Sequence, residues 1–479
     1  MRKRSVFGTA ALRFSERRLL LGIVDVLALN TALLVSLLNR PILDLSLSGL
    51  WQVLPWFLLF SGLWLAVGFF FDLYDLAYAA TPFRSAWRAG SAAFFTSVVY
   101  TFIPLVTPGF PERRLITLLF VGMSVGLVVL WRLAYALVLA QPAFQRRALV
   151  IGAGWSGRTI VQAITESEVK HDEDTPPLGY KILGFIDDDS EKLGRRIEGF
   201  PVLGNRHNLV ELARLLKPEE LIIAISPAGF VHAELFQAIL DCHEMGIHIT
   251  PMTSLYEALT GRVPVEHAGK NIQAILPMNQ PASYRLYLAL RRLFDLGAAL
   301  IGCLAVGLIA PLAWLVNYFT APGDIFFRQT RVGEGGQLFQ IVKFRTMVMD
   351  AEKHTGAVWA AADDPRVTPL GRLLRRTRLD ELPQFWNVLK GEMSLIGPRP
   401  ERPEFVTELS QEIPFYRVRH AVKPGITGWA QVKYRYGASR EDALIKLQYD
   451  LYYTRNRGFY LDTLILFKTV QVMLGMYGR

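Results

Sequence analysis

Three clusters in the C-terminal part of this 479-residue chain hold the side chains best suited to phosphate chemistry. The first is Leu379-Asp380-Glu381-Leu382-Pro383-Gln384. Pro383 suits the first turn of a helix, where an amide would be unpaired anyway, so Asp380 is expected at the N-cap and Gly391 just past the end. The second is a basic helix expected over 370–377, whose Arg372, Arg375 and Arg376 fall three and four apart on one side. A carboxylate at a helix N-terminus beside several guanidiniums is expected to be strongly ionised, and phosphates collect at the same place. The combination serves a carboxylate nucleophile attacking phosphorus, because the arginines neutralise the charge that would repel the substrate. Plain helix capping is the alternative role for Asp380. Glu381 points about 100° away on a helix and is expected to act separately. The third cluster is Gly397-Pro398-Arg399-Pro400. Its prolines restrict the backbone, which presents Arg399 with little freedom, either to bind phosphate bidentately or merely within a turn.

These groups need a scaffold. Stretches 325–331 and 338–346 read as two strands around a turn at 333–336, and period-two alternation puts Lys343 and Arg345 on one face, as phosphate ligands or as a solvated strand end. From Asp324 onward 24 Lys and Arg stand against 17 Asp and Glu, net +7 of the chain's +10, which suits anionic substrates or lipid heads.

The N-terminal third holds four apolar stretches, 19–38, 45–71, 89–111 and 115–131, each about long enough to cross a ~30 Å hydrocarbon layer as a helix. The first 18 residues carry six basic groups; Arg84 and Arg88 follow the second stretch, and Arg146 and Arg147 follow the fourth. These flanks are expected on the cytoplasmic side, with Arg113 and Arg114 against Glu112 weakening the contrast. The basic start lacks a following cleavage site and reads as an anchor. Asp25 lies inside the first stretch, as an interfacial acid or as a binding group within the bundle. A further run, 296–323, has no charged residue but contains Pro311, so the helix is expected to break at Ala310-Pro311 and to re-enter one leaflet instead of crossing.

Between them, a buried strand over 146–151 enters Gly152-Ala153-Gly154-Trp155-Ser156-Gly157 and a helix, the context in which amides at a helix N-terminus hold phosphate. Alternating strands and helices up to about residue 277 give a Rossmann-like, doubly wound α/β domain. Its acid cluster, Asp187-Asp188-Asp189, comes about 35 residues after the first glycine where dinucleotide sites place it about 20 after. A structural or regulatory domain without a cofactor is therefore expected, with Gly152, Gly154 and Gly157 as the candidate phosphate loop.

Mean hydropathy of +0.26 and only 20% charged residues exclude a single soluble domain of this length. Two cysteines, Cys242 and Cys303, exclude a disulfide framework and a Cys-ligated metal site.

Phe326 to Met347, the 379–384 core, Asn387 to Pro400 and Val422-Lys423-Pro424-Gly425-Ile426-Thr427-Gly428 together resemble the bacterial sugar transferase domain of monotopic phosphoglycosyl transferases. The match covers about 285–479, and the N-terminal helices and middle domain resemble the large members, the polyprenyl-phosphate hexose-1-phosphate transferases that start exopolysaccharide or O-antigen units. The resemblance implies three domains: a four-helix transmembrane domain over 1–145, the Rossmann-like domain over 146–277, and an α+β catalytic domain over 278–479 with a re-entrant helix over about 293–319, broken at Pro311. Many members carry serine before that proline where this chain has Ala310. The implied reaction converts UDP-hexose and undecaprenyl phosphate into undecaprenyl-diphosphate-hexose and UMP with Mg²⁺, Asp380 being both nucleophile and candidate metal ligand. Glu381 matches the second acid of the family's dyad; Arg375, Lys343, Arg345 and Arg399, with Pro398 and Pro400 around it, are the phosphate and nucleotide contacts. An inner-membrane protein facing the cytoplasm follows, with a homodimer and no nucleic acid as expected partners. The helices over 441–453 and 459–476 are expected at the interface, or in the core. The competing readings are a membrane-anchored nucleotide-sugar dehydratase or epimerase, for which the chain lacks Tyr-x-x-x-Lys, and a non-catalytic assembly scaffold.

Overall fold

The computed structural model describes residues 14–38, 47–74, 79–103, 114–139, 146–169, 180–225, 232–267, 284–349, 366–434 and 439–473. Four helices come first in the chain: α1 (Phe14–Leu37), α2 (Leu47–Phe70), α3 (Pro82–Thr101) and α4 (Arg114–Ala134). Leu33, Phe60, Trp64, Tyr100 and Phe120 interlock at their centre. Among the described residues, the segments long and apolar enough to cross a membrane are 16–37, 51–70, 115–139 and 284–319. α3, which starts at the N-cap Thr81 and carries Arg84 and Arg88 in its first turns, is not one of them. Asp25 is fully buried, and Arg132 of α4 donates to it from Nε at 3.1 Å while its Nη1 donates to the Leu73 carbonyl. That is the paired arrangement a charge buried in an apolar helix bundle requires. The N-terminal basic cluster up to Arg13, the 104–113 segment and the 277/278 boundary lie outside the described residues.

The middle sheet has the order β3-β4-β2-β1-β5-β6, built from β1 (Arg146–Ile151), β2 (Tyr180–Ile186), β3 (Arg196–Ile197), β4 (Phe200–Gly204), β5 (Glu220–Ile223) and β6 (His248–Pro251). All neighbours are parallel except the β3/β4 hairpin. The helices α5 (Trp155–Val169), α6 (Leu209–Leu216) and α7 (Ala233–Glu244) alternate with the strands, and Leu209, Leu235 and Ile239 cover the buried β1 and β5. A mixed, mainly parallel sheet with alternating helices thus forms, with α6 and the β3/β4 hairpin beyond the elements expected.

The chain divides into two compact units at Leu255/Tyr256, within α8 (Met252–Thr260). The helical bundle and sheet share the first unit; the boundary expected at 277/278 lies later than this. Val263 and Val265 are buried with Leu409, Leu447 and Leu451 of the second unit, and Arg455 donates to Glu257 at 2.6 Å. Residues 256–267 therefore join the C-terminal core rather than the sheet.

That second unit is organised on α9, Tyr284–Thr320, which runs unbroken through Pro311 and would be about 55 Å long if straight. The expected stop at Ala310-Pro311 is not observed. Pro311 is accommodated inside the helix, which continues to Thr320. Its first turns are bound to the domain: Arg291 donates to Ser394 and the Ile396 carbonyl, Arg292 to the Val388 and Leu389 carbonyls, and Asp295 accepts from the Leu395 amide. Ala313, further along, is buried with Phe344 and Leu374. Past its end, the Ala321 and Pro322 carbonyls accept from Arg345. Leu300, Leu304, Leu308 and Leu312 remain exposed.

The hairpin β7 (Phe326–Val332) and β8 (Leu338–Phe344) forms around the expected turn. It is followed by α10 (Pro369–Arg376), α11 (Gln384–Lys390), β9 (Ser394–Ile396), α12 (Pro403–Glu412), β10 (Gly425–Thr427), α13 (Trp429–Lys433), α14 (Arg440–Asn456) and α15 (Phe459–Met473). α14 is a core helix and not an interfacial one: Leu447 and Leu451 meet one cluster while Tyr449 and Tyr453 meet another with Trp429 and Leu461. α15 buries Leu461 and Ile465 and leaves Phe459, Tyr460, Val470 and Met473 exposed.

Candidate active site

Two close approaches set the site. Gly371 of α10 lies so near the Thr346 carbonyl that a Cβ would overlap it, and Arg375 Nε donates to the Thr346 hydroxyl at 2.9 Å. The helix begins at Thr368, which accepts from the Gly371 amide at 3.0 Å. On the other side, β9 and β10 pair in parallel, and Gly397, Gly425 and Gly428 bring their backbones within reach of one another where any Cβ would collide. The Gly397 amide donates to the Thr427 carbonyl and the Gly425 amide to the Pro398 carbonyl. Arg331 Nη1 donates to the Pro400 carbonyl at 3.2 Å. The Pro-Arg-Pro segment is thus clamped on both sides.

Between these supports, Leu379–Glu381 forms a short turn of 3₁₀ helix entered through Arg378 in the left-handed region (φ 60°), a conformation that costs a non-glycine residue about 1–2 kcal/mol. α11 starts later, with Pro383 as its N-cap and Gly391 (φ 87°) at its C-cap. Gly391 thus ends the helix as read, whereas Asp380 does not cap it. Plain capping is thereby removed as an account of Asp380.

Glu381 is the hub. Its Oε1 accepts from Arg399 Nη2 at 2.7 Å and from Lys343 Nζ at 3.3 Å. Burial by itself would push the Glu381 carboxyl up, but Arg399 and Lys343, with Arg378 beyond them, hold it well below the usual carboxylate range. Burial, then Arg399 and Arg331, pulls the Lys343 ammonium below its ordinary value despite Glu381. Asp380 differs from its neighbour: no side chain among the described residues forms an ion pair with it. Burial and the adjacent Glu381 raise its pKa above that of an ordinary aspartate, with Lys343, Arg375 and Arg378 opposing. The expected strong ionisation therefore belongs to Glu381, which took the direct cationic partners, and not to Asp380.

The structure brings Asp380, Glu381, Lys343 and Arg399 together and sets Arg375 within electrostatic reach. Arg345, one residue past β8, turns instead to the carbonyls that follow α9. Gly152, Gly154 and Gly157 belong to the first unit. There the Ala153 amide donates to Asp187 at 2.7 Å, and Asp187 pairs with Lys192 at 3.2 Å. Sequence reading missed Arg331, Arg419 and Asp450, whose partners lie far along the chain.

The family model for bacterial sugar transferases matches residues 286–476, and one described as a CoA-binding domain matches residues 70–233. The chain is 40% identical over 283 residues to a UDP-N-acetylgalactosamine-undecaprenyl-phosphate N-acetylgalactosaminephosphotransferase of Aeromonas hydrophila, covering 57% of this chain and 64% of that protein. It is 32% identical over 356 residues to the UDP-glucose:undecaprenyl-phosphate glucose-1-phosphate transferase of Escherichia coli (strain K12), covering 71% and 74%. A protein of the same name from Xanthomonas campestris pv. campestris is 31% identical over 303 residues, covering 63% and 62%. The chain thus spans slightly under two thirds of two of these relatives and about three quarters of the third. With the hairpin, the Asp380-Glu381 turn and the clamped Pro-Arg-Pro segment all inside the matched region, the chain belongs to the bacterial sugar transferase family.

Proposed function

We propose that the chain transfers a hexose-1-phosphate from a UDP-hexose to undecaprenyl phosphate, in two steps through a phosphosugar on Asp380. The observation that carries this reading is the contrast within the acid pair: Glu381 is neutralised by Arg399 and Lys343, while Asp380 is left unpaired and basic beside them. A carboxylate with a raised pKa is the better nucleophile once ionised. An Asp380 oxygen attacks the sugar-linked phosphorus, the bond to the bridging oxygen breaks, and UMP leaves with that electron pair. An oxygen of undecaprenyl phosphate then attacks the same phosphorus, and the Asp380 carboxylate departs with its electrons. Glu381 keeps Arg399 and Lys343 oriented, and these with Arg375 offset the developing phosphate charge.

Among the described residues no three His, Cys, Asp or Glu side chains group as a metal site. Asp380 is the residue that would hold Mg²⁺, with water and substrate supplying the other ligands, and the ion would supply neutralisation of phosphate charge.

A cytoplasmic, inner-membrane location with a re-entrant α9 is part of the proposal. It is supported by the way one compact unit holds both ends of that helix, through Arg291, Arg292 and Asp295 at the start and Arg345 at the finish. A full crossing would put those two sets of contacts on opposite sides of the bilayer. The relatives' names differ in the sugar, so the test is a panel of UDP-sugars with purified protein, scored for UMP release and for a phosphosugar adduct on the peptide containing Asp380. An adduct elsewhere, or none during turnover, overturns the two-step reading.

A further inference from the structure

Beneath the Pro-Arg-Pro segment lies a charged pair for which the proposed chemistry has no direct use. Arg419 and Asp450 are 5% and 2% exposed, yet neither belongs to the acid-pair turn or touches Asp380. Arg419 Nε and Nη2 both donate to Asp450 Oδ2, at 3.1 and 2.6 Å, and Nη1 donates to the Tyr416 hydroxyl at 2.9 Å. The same Nη2 donates to the backbone carbonyl of Arg399 at 3.0 Å. Asp450 sits on the core helix α14, whose Leu447 and Leu451 flank it in the hydrophobic cluster.

A buried ion pair adds little stability over apolar residues of similar volume, because desolvation cancels most of the attraction. The pair therefore calls for a reason other than stability. That reason is directional: a guanidinium fixed by Asp450 and Tyr416 has a donor left for one carbonyl, and that carbonyl belongs to the residue whose own guanidinium holds Glu381. Resting on the transferase reading above, we infer that Arg419 and Asp450 are positioning residues, which set the Arg399 backbone so that its side chain meets Glu381 and the substrate phosphate in one register. Displacement of such a group by about 1 Å costs on the order of 100-fold in rate.

The test uses the full-length protein in detergent, with a UDP-sugar and no lipid acceptor, so that the first half-reaction is read as a burst of UMP. Its rate reports the positioning of the site and its amplitude, relative to wild type, the fraction of intact sites. The double variant Arg419→Met/Asp450→Leu removes both charges together and the Arg419 bond to the Arg399 carbonyl. The expected result is a burst of wild-type amplitude about 30–100-fold slower. Arg419→Lys, which keeps one charge but cannot serve both oxygens, is expected to be about tenfold slower at full amplitude, and it carries the test if the double variant does not fold. A burst at the wild-type rate, at full or reduced amplitude, overturns the inference, since it leaves the pair a merely structural role. Absence of any lipid-independent burst from the wild-type protein overturns the two-step reading itself, and that outcome is distinct from a failure of the variants.

Discussion

The loop after β1 and the loop after β9 look alike at the level of residue types. Each follows a short buried strand, and each contains a glycine beside which a Cβ would strike a neighbouring carbonyl: Gly152 against Ala224 in the first, Gly397 against Lys423 in the second. They differ in the charge brought to the loop. In the first, the Ala153 amide is taken by the chain's own carboxylate, Asp187, so the place where a phosphate would be held already carries a negative charge. In the second, Arg399 is presented with Lys343 against a single carboxylate, and Asp380 stands unpaired alongside. Glycines permit a close approach; the sign of the charge that fills it decides what the loop can hold.

The largest effect that tests this contrast is Asp380→Asn, which keeps size and polarity but cannot form the phosphoanhydride. UMP release from a UDP-sugar should fall by at least about 1,000-fold, measured by a coupled nucleotide assay. Activity within tenfold of wild type would erase the functional difference between the loops.

Next comes the close approach itself. Gly428→Ala places a methyl against the Gly397 carbonyl where backbone, not a flexible side chain, must give way. Overpacking of this kind costs about 1–3 kcal/mol, seen as a lower denaturation midpoint of the C-terminal unit together with slower UMP release. Gly154→Ala in the first loop meets nothing within 4 Å and should leave the midpoint within about 0.5 kcal/mol. Equal costs at the two positions would mean that the Gly428–Gly397 approach is no tighter than the open position at Gly154.

The sequence made some of this legible and hid the rest for physical reasons. Gly391 announced the end of α11 because few residues other than glycine reach φ 87° cheaply. α11 starts three residues later than expected, since Pro383 is equally at home as the N-cap observed and in the first turn expected. Asp380 lies in a separate turn entered through Arg378 at φ 60°, and no local pattern forecasts a left-handed arginine. Pro311 predicts a break, yet the helix continues to Thr320 with Ala313 buried against Phe344 and Leu374, a packing that the local sequence does not announce. Arg419 and Asp450 are 31 residues apart, and the carbonyl they hold is 20 residues from Arg419, distances at which periodicity is silent.

A smaller effect lies in the first loop. Asp187→Asn loses the charge-assisted bonds to the Ala153 amide and Lys192. Thermal or chemical denaturation should show about 1–2 kcal/mol less stability in the sheet, while UMP release stays within about twofold. A large loss of transfer activity would give the first loop a part in the chemistry and undo the contrast.

The smallest effect concerns acid. His420, next to Arg419 beneath the second loop, has its pKa pushed from 6.5 down to about 4 by burial, with Arg419 and Arg417 adding to it. It is therefore neutral in the folded state while the unfolded chain takes up its proton below about 6.5. The stability this neutral histidine supplies is complete above pH 6.5 and is lost as pH falls toward 4. Because the side chain is partly exposed, the loss at pH 5 should be only about 1 kcal/mol after allowance for solvent screening. Denaturant titrations at pH 7 and pH 5 should show His420→Gln losing less stability on acidification than wild type by about that amount. Glutamine fills a similar volume and does not titrate, so the difference between the two curves isolates the proton. If both proteins lose the same stability, the acid sensitivity resides elsewhere, and the segment beneath the second loop is as indifferent to protons as the first.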